Sequence, residues 1–236
     1  WIQTAITFVA FVILFMAPGN EMRVASEITT WMPGYKELSV GNHLFMTIQW
    51  MLSSFANEGK AFFIAIWAAG FLLLVKSKKA KVYQILAIVF SVAAILPYAG
   101  ITFFSEMGIG DIDIEQCLTE LPTWQSMTTQ NRIAFFWWIA AVLFTLVLLW
   151  KVTGHSVFIS MAFLGGIASE AVLHFSPTIY ASGARVYYLT DLMYLFIILW
   201  MVMRMDSEKK KNLFIAGAAA LGIINFLSQY SIMLLK

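Results

Sequence analysis

The sequence predicts an all-α fold, a polytopic bundle of about seven transmembrane helices with one amphipathic helix on its outer side. Hydrophobic residues make up 61% of the 236 residues and charged residues only 12%, and the mean hydropathy is +0.80. Soluble domains are about 45–50% apolar and about 25% charged. The chain therefore has too few polar side chains to cover a water-soluble globule. Its net charge of +2 is too small to indicate a nucleic-acid partner.

Apolar residues are grouped in runs that approach the length of a membrane span, which is about 20 residues. The seven runs cover residues 1–17, 61–75, 82–104, 133–150, 157–175, 186–203 and 213–235. We treat residues 1–236 as one transmembrane domain. Because the chain starts with Trp1 inside an apolar run, we expect it to be a fragment of a longer protein.

Lysine and arginine in the connecting segments predict the orientation of the bundle. Basic residues concentrate in segments 76–81 and 204–211, with Lys151 in a third connection. These three connections alternate correctly to share one side, which the positive-inside rule makes cytoplasmic. Segments 18–60, 105–131 and 176–185 then lie on the non-cytoplasmic side.

The long outer segment 18–60 contains an amphipathic stretch, residues 43–57, that predicts a helix along the membrane surface. Its apolar stripe consists of Leu44, Phe45, Ile48, Met51, Leu52 and Phe55. Its polar stripe consists of His43, Thr47, Trp50, Ser54 and Asn57. Two interpretations are open: the polar stripe faces water, or it meets a sugar or a lipid headgroup.

Two acidic residues fall inside apolar runs, where charges are costly and indicate functional sites. Glu170 and Asp191 are expected on neighbouring helices, each roughly 10 Å below the outer boundary at about 1.5 Å per residue. His174 lies four residues after Glu170 and shares its helix face. Glu170 and Asp191 are the catalytic candidates, and His174 is a candidate for substrate binding.

The sequence has four arginines, and three of them fall at predicted outer helix ends: Arg23, Arg132 and Arg185. The planar guanidinium can bind phosphate or carboxylate with two hydrogen bonds. These arginines therefore predict a pocket for an anionic lipid headgroup. The alternative is structural, with Arg132 or Arg185 neutralising Glu170 or Asp191 within the bundle.

Two turn-forming segments lie beside these arginines and could offer backbone amides to an anion. One contains Asn20 and precedes Arg23; the other, 176–185, contains Tyr180 and Ser182 and ends at Arg185. Ordinary turns are the alternative interpretation. No metal site or cofactor is predicted, because the histidines are scattered and the acidic stretch 111–115 lacks the spacing of a calcium loop.

Two of these segments carry a family resemblance: residues 17–20 followed by Arg23, and residues 176–185. They resemble a family of uncharacterised bacterial polytopic membrane proteins, which is similar in turn to the GT-C glycosyltransferases. The resemblance implies a multi-pass protein of the bacterial cytoplasmic (inner) membrane, of which this chain is the carboxy-terminal part. It also implies use of a polyprenyl-phosphate-linked sugar on the non-cytoplasmic face. GT-C enzymes usually carry a catalytic acid in the first outer loop, so no catalytic base is transferred to a residue here.

Three function hypotheses follow from these features. The first is a glycosyltransferase that modifies a cell-envelope glycan, with membrane lipid and a polyprenyl-phosphate-linked sugar as partners. The alternative is a transporter or flippase of an anionic lipid or glycan, and the third is a non-catalytic membrane scaffold. Transporters tend to show internal repeats and midplane sites. The outward position of the charges and the absence of an evident repeat favour the enzyme.

Overall fold

A computed structural model describes residues 9, 20–96, 124–125, 127, 129–154, 156–174 and 187–234. Within these residues the chain is all-α, with eight α-helices and no β-strand. The helices are α1 (Asn20–Trp31), α2 (Val40–Asn57), α3 (Lys60–Leu74), α4 (Lys81–Ile95), α5 (Thr129–Val152), α6 (Val157–His174), α7 (Tyr188–Met203) and α8 (Glu208–Leu234). Short 3-10 helices at Pro33–Glu37 and Lys78–Ala80 precede α2 and α4.

Most helices occupy the predicted apolar runs. Helices α3, α6 and α7 begin within two residues of the predicted starts, and α8 begins five residues earlier, at Glu208. The run 1–17 and residues 97–104 lie outside the described part. Helix α1 was not predicted: Arg23 lies in its first turn, and Asn20 is its first residue, although a turn was expected there.

Helix α3 is the centre of the bundle and contacts α2, α4, α5, α7 and α8. Its core residue Phe63 is fully buried. The Phe63 ring lies 5.2 to 6.1 Å from five other aromatic rings, measured between ring centroids. These rings belong to Phe55, Trp67, Trp138, Phe163 and Tyr194. Aromatic packing therefore joins α2, α3, α5, α6 and α7 in one core.

Helices α3 and α5 approach closely because α3 has a glycine at the crossing. A β-carbon on Gly70 would lie 2.7 Å from Cδ2 of Leu148, a side chain with no exposed surface. One turn away, the indole of Trp67 donates a hydrogen bond of 2.8 Å to Thr145. A small residue and an interhelical hydrogen bond are the usual means of joining helices inside a membrane.

A network of ion pairs joins the chain connections at one end of the bundle. Lys76, after α3, lies 2.8 Å from Asp206, and Lys210 in α8 lies 2.9 Å from the same carboxylate. Hydrogen bonds from Lys76 and Lys210 hold the pKa of Asp206 well below its usual range. Gln84 donates to the backbone oxygens of Leu74 and Ser77, which closes the turn between α3 and α4. The segments predicted to be cytoplasmic thus meet at one end.

The helices expose large apolar side chains on their outward faces. On α4 these are Val82, Ile85, Leu86, Ile88, Val89, Val92 and Ile95. On α7 they include Leu192, Leu195, Phe196, Leu199 and Met203. Conversely, buried polar residues include Thr47, Gln49, Ser53, Ser54, Thr145, Ser160, Glu170 and Thr190. The molecule therefore exposes more large apolar side chains than a soluble monomer usually does, although its core is also mainly apolar.

Length and hydropathy identify one described helix that can cross a bilayer by itself, Asn131–Val152, with 22 residues and a hydropathy of 2.4. Val40–Ala56 and Lys60–Leu74 meet the same criterion together, but they are bent by 69° at their junction. Val157–Ala171 and Tyr188–Met203 are apolar but shorter. Core helices of soluble proteins have the same length and hydropathy, so these two properties alone do not fix the number of spans.

Candidate functional site

Glu170 lies near the end of α6 that is remote from the Asp206 network. The residue is buried, with 1% of its surface exposed. It is placed there because Gly166, Ser169 and Glu170 share one helix face, three and four residues apart, and that face packs on α2 and α7. The predicted catalytic candidate is thus an interior group of the bundle.

The carboxyl group of Glu170 contacts the hydroxyl of Ser54 in α2 through Oε1. The same hydroxyl lies 2.8 Å from the backbone oxygen of Met51. A serine hydroxyl has one proton, so it cannot donate fully to both oxygens. A protonated Glu170 satisfies both contacts, because it donates to Ser54 while Ser54 donates to Met51. The pair can therefore hold or release a proton with little movement of either side chain.

Two further carboxyl groups lie within electrostatic range of Glu170. They belong to Asp191 in the first turn of α7 and to Glu58 directly after α2. Asp191 is half-buried, Glu58 is exposed, and Lys60 partly balances the charge of Glu58. An acidic side chain in the first helical turn is favoured by the helix dipole. Solvent exposure in the cluster thus increases from Glu170 through Asp191 to Glu58.

Aromatic side chains with polar groups border this carboxyl cluster. The indole of Trp50 donates a hydrogen bond of 3.2 Å to the hydroxyl of Tyr187, so α2 is linked to the start of α7. Tyr194 is 1% exposed, and its hydroxyl has no hydrogen-bond partner among the described residues. That hydroxyl lies within electrostatic range of both Glu170 and Asp191. A buried hydroxyl without a partner is costly and suggests an additional bound group.

Small polar residues bring α6 and α7 together beside the cluster. Thr190 donates to the backbone oxygen of Gly166 over 3.1 Å, and Ser169 donates to the same oxygen over 2.9 Å. The two hydroxyl oxygens are 3.2 Å apart. A β-carbon on Gly166 would touch Met193 and Tyr194 at 3.5 Å. The small residue Gly166 therefore allows α6 to pack closely on α7, which positions Glu170 against α7.

The predicted orientation of the amphipathic helix in water is wrong. Its polar stripe faces the bundle interior, since Thr47 and Ser54 are each 5% exposed. Its apolar stripe is divided: Leu44 and Ile48 are 48% and 37% exposed, whereas Leu52 and Phe55 are 2% and 1% exposed. An inward polar stripe is expected where the surroundings are less polar than the interior.

The predicted site residues are only partly brought together. Glu170 and Asp191 lie on the neighbouring helices α6 and α7, within electrostatic range of each other. Arg132 donates to the backbone oxygen of Trp124 over 3.1 Å, and its guanidinium lies 5.1 Å from the centre of that indole ring. In the described residues Arg132 forms no ion pair with either acid, so the predicted pairing is not found for this arginine.

The remaining candidate residues lie wholly or partly outside the described part of the chain. Tyr180, Ser182 and Arg185 lie outside the described residues. The side chains of Asn20, Arg23 and His174 also lie outside the described part, although the backbone of these three residues is helical. Their roles in anion binding stay predictions.

Sequence reasoning missed the contributions of Ser54, Glu58, Tyr187 and Tyr194 to the site. A signal was present in the spacing. Trp50, Ser54 and Glu58 are four residues apart, and Tyr187, Asp191 and Tyr194 follow at intervals of four and three. Such intervals place side chains on one helix face. Each helix thus carries a polar face that, in an otherwise apolar chain, marks the side turned toward the site.

The chemical character of the cluster is that of a hydrogen-bonding site. Carboxyl and hydroxyl oxygens accept and donate hydrogen bonds, and indole and phenol rings add apolar surface. Among the described residues no group of three or more His, Cys, Asp or Glu side chains is arranged to hold a metal ion. The arrangement suits a neutral ligand rich in hydroxyl groups better than an anion.

Comparisons with known proteins add no assignment: no protein-family model, no curated protein and no solved structure matches this chain.

Proposed function

We propose that this chain is a multi-pass protein of the bacterial cytoplasmic membrane, with about seven spans. The outward apolar faces of α4 and α7 support this, because hydrocarbon removes the penalty of exposing them. Helices α3 to α8 and the run 1–17 would supply the spans. The buried polar residues support the same proposal, since polar groups in membrane proteins face the protein interior.

The function we propose is a GT-C-like glycosyltransferase that uses a polyprenyl-phosphate-linked sugar on the non-cytoplasmic face. The observation that carries this proposal is the buried Glu170 beside Ser54, with Asp191 and the Tyr194 hydroxyl in electrostatic range. General-base catalysis requires an ionised carboxylate within hydrogen-bond reach of the acceptor hydroxyl. The Ser54 contact shows that the Glu170 carboxyl group can pair with a hydroxyl. The acceptor would be a hydroxyl group of a cell-envelope glycan or lipid.

In the proposed reaction the acceptor oxygen forms a bond to the anomeric carbon of the donor sugar. The bond from that carbon to the phosphate oxygen breaks, and polyprenyl phosphate leaves with the bonding electrons. The acceptor proton passes to a carboxylate, Glu170 or Asp191. Asp191 is half-buried, which favours it as the group closer to an entering substrate, while Glu170 can exchange a proton with its neighbours.

In this proposal the sugar and the phosphate bind at different places because the carboxyl cluster is acidic. Three carboxyl groups lie close together at Glu58, Glu170 and Asp191, and they would repel a phosphate. The phosphate is therefore assigned to Arg23, Arg132 or Arg185, not to the carboxyl cluster. The same repulsion makes the cluster a poor pathway for an anionic lipid, which counts against the flippase alternative.

The proposal is tested by removing each carboxylate without changing its size. Glu170→Gln and Asp191→Asn should each lower sugar transfer by at least about 100-fold, the lower range for general acid–base catalysis. Transfer would be measured with the full-length protein in membranes, from radiolabelled polyprenyl-phosphate hexoses to endogenous glycan. Glu208→Gln is the matched control, because Glu208 is exposed at the opposite end of the bundle.

Membrane abundance and melting temperature in detergent must be measured for all three variants. A loss of transfer in variants that fold like the parent supports the proposal. Undiminished transfer by both Glu170→Gln and Asp191→Asn would exclude the carboxyl cluster from the chemistry.

A further inference from the structure

An apolar groove opens between helices α3, α4 and α8. Its volume is about 410 Å³, within the range of about 300–1,000 Å³ that is typical of ligand sites. The groove exists because small side chains face one another across the three helices. These are Ala65 and Ala68 on α3, Ala87 on α4, and Gly217 and Ala218 on α8. Its remaining lining is almost wholly apolar.

The length and position of the groove match one leaflet of a bilayer. On α8 the lining runs from Leu213 to Leu221, which is roughly 12 Å at about 1.5 Å per residue. Half of a hydrocarbon core of about 30 Å is only slightly longer. The groove ends near the Asp206 network: Leu72 is four residues before Lys76, and Leu213 is two residues after Lys211.

The adjoining end of the bundle is strongly basic. Segments 76–81 and 204–211 contain eight basic residues and two acidic ones. Asp206 pairs with Lys76 and Lys210, and Glu208 pairs with Lys211. In the described part of the chain, the exposed Lys78, Lys79, Lys81 and Lys209 have no ion-pair partner. Positive charge thus remains at the mouth of an apolar groove.

We propose that this groove binds an anionic phospholipid, with one acyl chain along α3, α4 and α8 and the phosphate at the lysines of the basic end. A basic mouth beside an apolar slot complements the two halves of such a lipid. The inference rests on the membrane location proposed above but not on the glycosyltransferase activity. The site is separate from the proposed sugar and polyprenyl-phosphate sites, because neither Glu170 nor Arg132 lines the groove.

The groove can be filled without disturbing the fold, which makes the proposal testable. No atom lies within 4 Å of a β-carbon built on Gly217, which lines the groove, or on Gly222, which does not. Gly217→Leu should therefore place its side chain in the groove, and Gly222→Leu is the matched control on the same helix. Both substitutions replace a helical glycine, so they should affect helix stability equally.

Purified full-length protein would be loaded with phosphatidylglycerol or phosphatidylcholine in detergent and examined by native mass spectrometry. We expect the parent and Gly222→Leu to retain phosphatidylglycerol preferentially, and Gly217→Leu to retain at least tenfold less. The double variant Lys78→Gln/Lys79→Gln should lose the preference for phosphatidylglycerol over phosphatidylcholine. Melting temperatures would show that each variant is folded.

Three outcomes would overturn the lipid site. The first is equal retention by Gly217→Leu and Gly222→Leu. The second is equal retention of the two lipids by the parent. The third is a parent dimer that Gly217→Leu abolishes, since the groove would then hold a second copy of the chain. If the protein is not an integral membrane protein, carbonate extraction should release it from membranes. If it is not a glycosyltransferase, the lipid-binding result should be unchanged.

Discussion

Glu170 occupies a buried position in which an ionised side chain is unfavourable unless neighbouring groups stabilise it. In the membrane location proposed here, a charged residue costs about 2.5–3.5 kcal/mol at the centre of a spanning helix, and the cost is smaller near the helix end, where Glu170 lies. The contact with Ser54 and the polar faces of α2 and α7 reduce that cost locally. A valine or leucine would avoid it altogether. The residue is thus better explained by a role in binding or proton transfer than by packing.

Removing the hydroxyl group of Tyr194 tests stability and function separately. Its buried hydroxyl has no partner among the described residues, so it contributes an unsatisfied polar group. Leaving such a group buried costs about 1–3 kcal/mol. Tyr194→Phe should therefore leave the melting temperature in detergent unchanged or raise it. If the hydroxyl binds the substrate, sugar transfer should fall at least tenfold in the same variant.

The matched control is Tyr188→Phe, on the same helix but 66% exposed. This substitution should change neither stability nor transfer. A Tyr194→Phe protein that melts lower than the parent would show that the hydroxyl has a structural partner. Stable protein with full transfer would remove Tyr194 from the proposed substrate site.

At the scale of helices, sequence patterns predicted positions well and orientation poorly. Runs of apolar residues predicted α3, α6 and α7 to within two residues at their starts, because such runs are both helical and buried in protein or lipid. For the polar stripe of α2, the sequence left open whether it faces water or meets a sugar or a lipid headgroup. In a bundle whose outside is apolar, the polar stripe turns inward, and only contacts with α6 and α7 reveal what it meets.

Other parts of the site could not be predicted because they depend on the approach of distant segments. Neutralisation of an acid by Arg132 was the structural alternative to a headgroup pocket, but Arg132 instead contacts the ring face and the backbone oxygen of Trp124. Helix α1 contains apolar and polar residues in nearly equal measure, so it does not form an apolar run, which was the signal that predicted the other helices. Spacing predicts helix faces, but it does not predict which faces meet.

The pair formed by α3 and α5 provides a test of close helix packing. Gly70→Ala adds a methyl group 2.7 Å from Leu148, which is fully buried and cannot move aside freely. Overpacking costs about 1–3 kcal/mol, which should exceed the gain in helix propensity of about 1 kcal/mol. We therefore expect a lower melting temperature in detergent for Gly70→Ala.

Gly165→Ala on α6 is the control for this test, since nothing lies within 4 Å of its added β-carbon. This variant should be as stable as the parent or slightly more stable. Equal stability of Gly70→Ala and the parent would mean that α3 and α5 can separate without cost.

At the scale of the whole molecule, the proposed topology separates the two charged regions by the length of the bundle. The basic connections around Asp206 would face the cytoplasm, and the carboxyl cluster would face outward. We expect a cysteine at Ser182 to react with an impermeant thiol reagent in intact cells. A cysteine at Ser77 should react only after the membrane is opened. Both variants are made in a Cys117→Ser background, which removes the single native thiol.

The opposite labelling pattern, with Ser77 accessible from outside and Ser182 protected, would reverse the orientation. The assignment of the sugar site to the non-cytoplasmic face would then fail together with the topology. Labelling of both positions in intact cells would contradict a membrane-spanning bundle altogether.

Ser54 has two roles: its backbone oxygen helps to end α2, and its side-chain hydroxyl contacts the carboxyl cluster. The two roles can therefore change separately in evolution. Its backbone oxygen accepts hydrogen bonds of 2.9 Å from the amides of Glu58 and Gly59, which closes α2 where the chain bends by 69° into α3. Its hydroxyl contacts Glu170. Every amino acid supplies the carbonyl, but few supply the hydroxyl. Natural substitutions at position 54 can therefore change the hydrogen bonding of the Glu170 carboxyl group without changing the bend between α2 and α3.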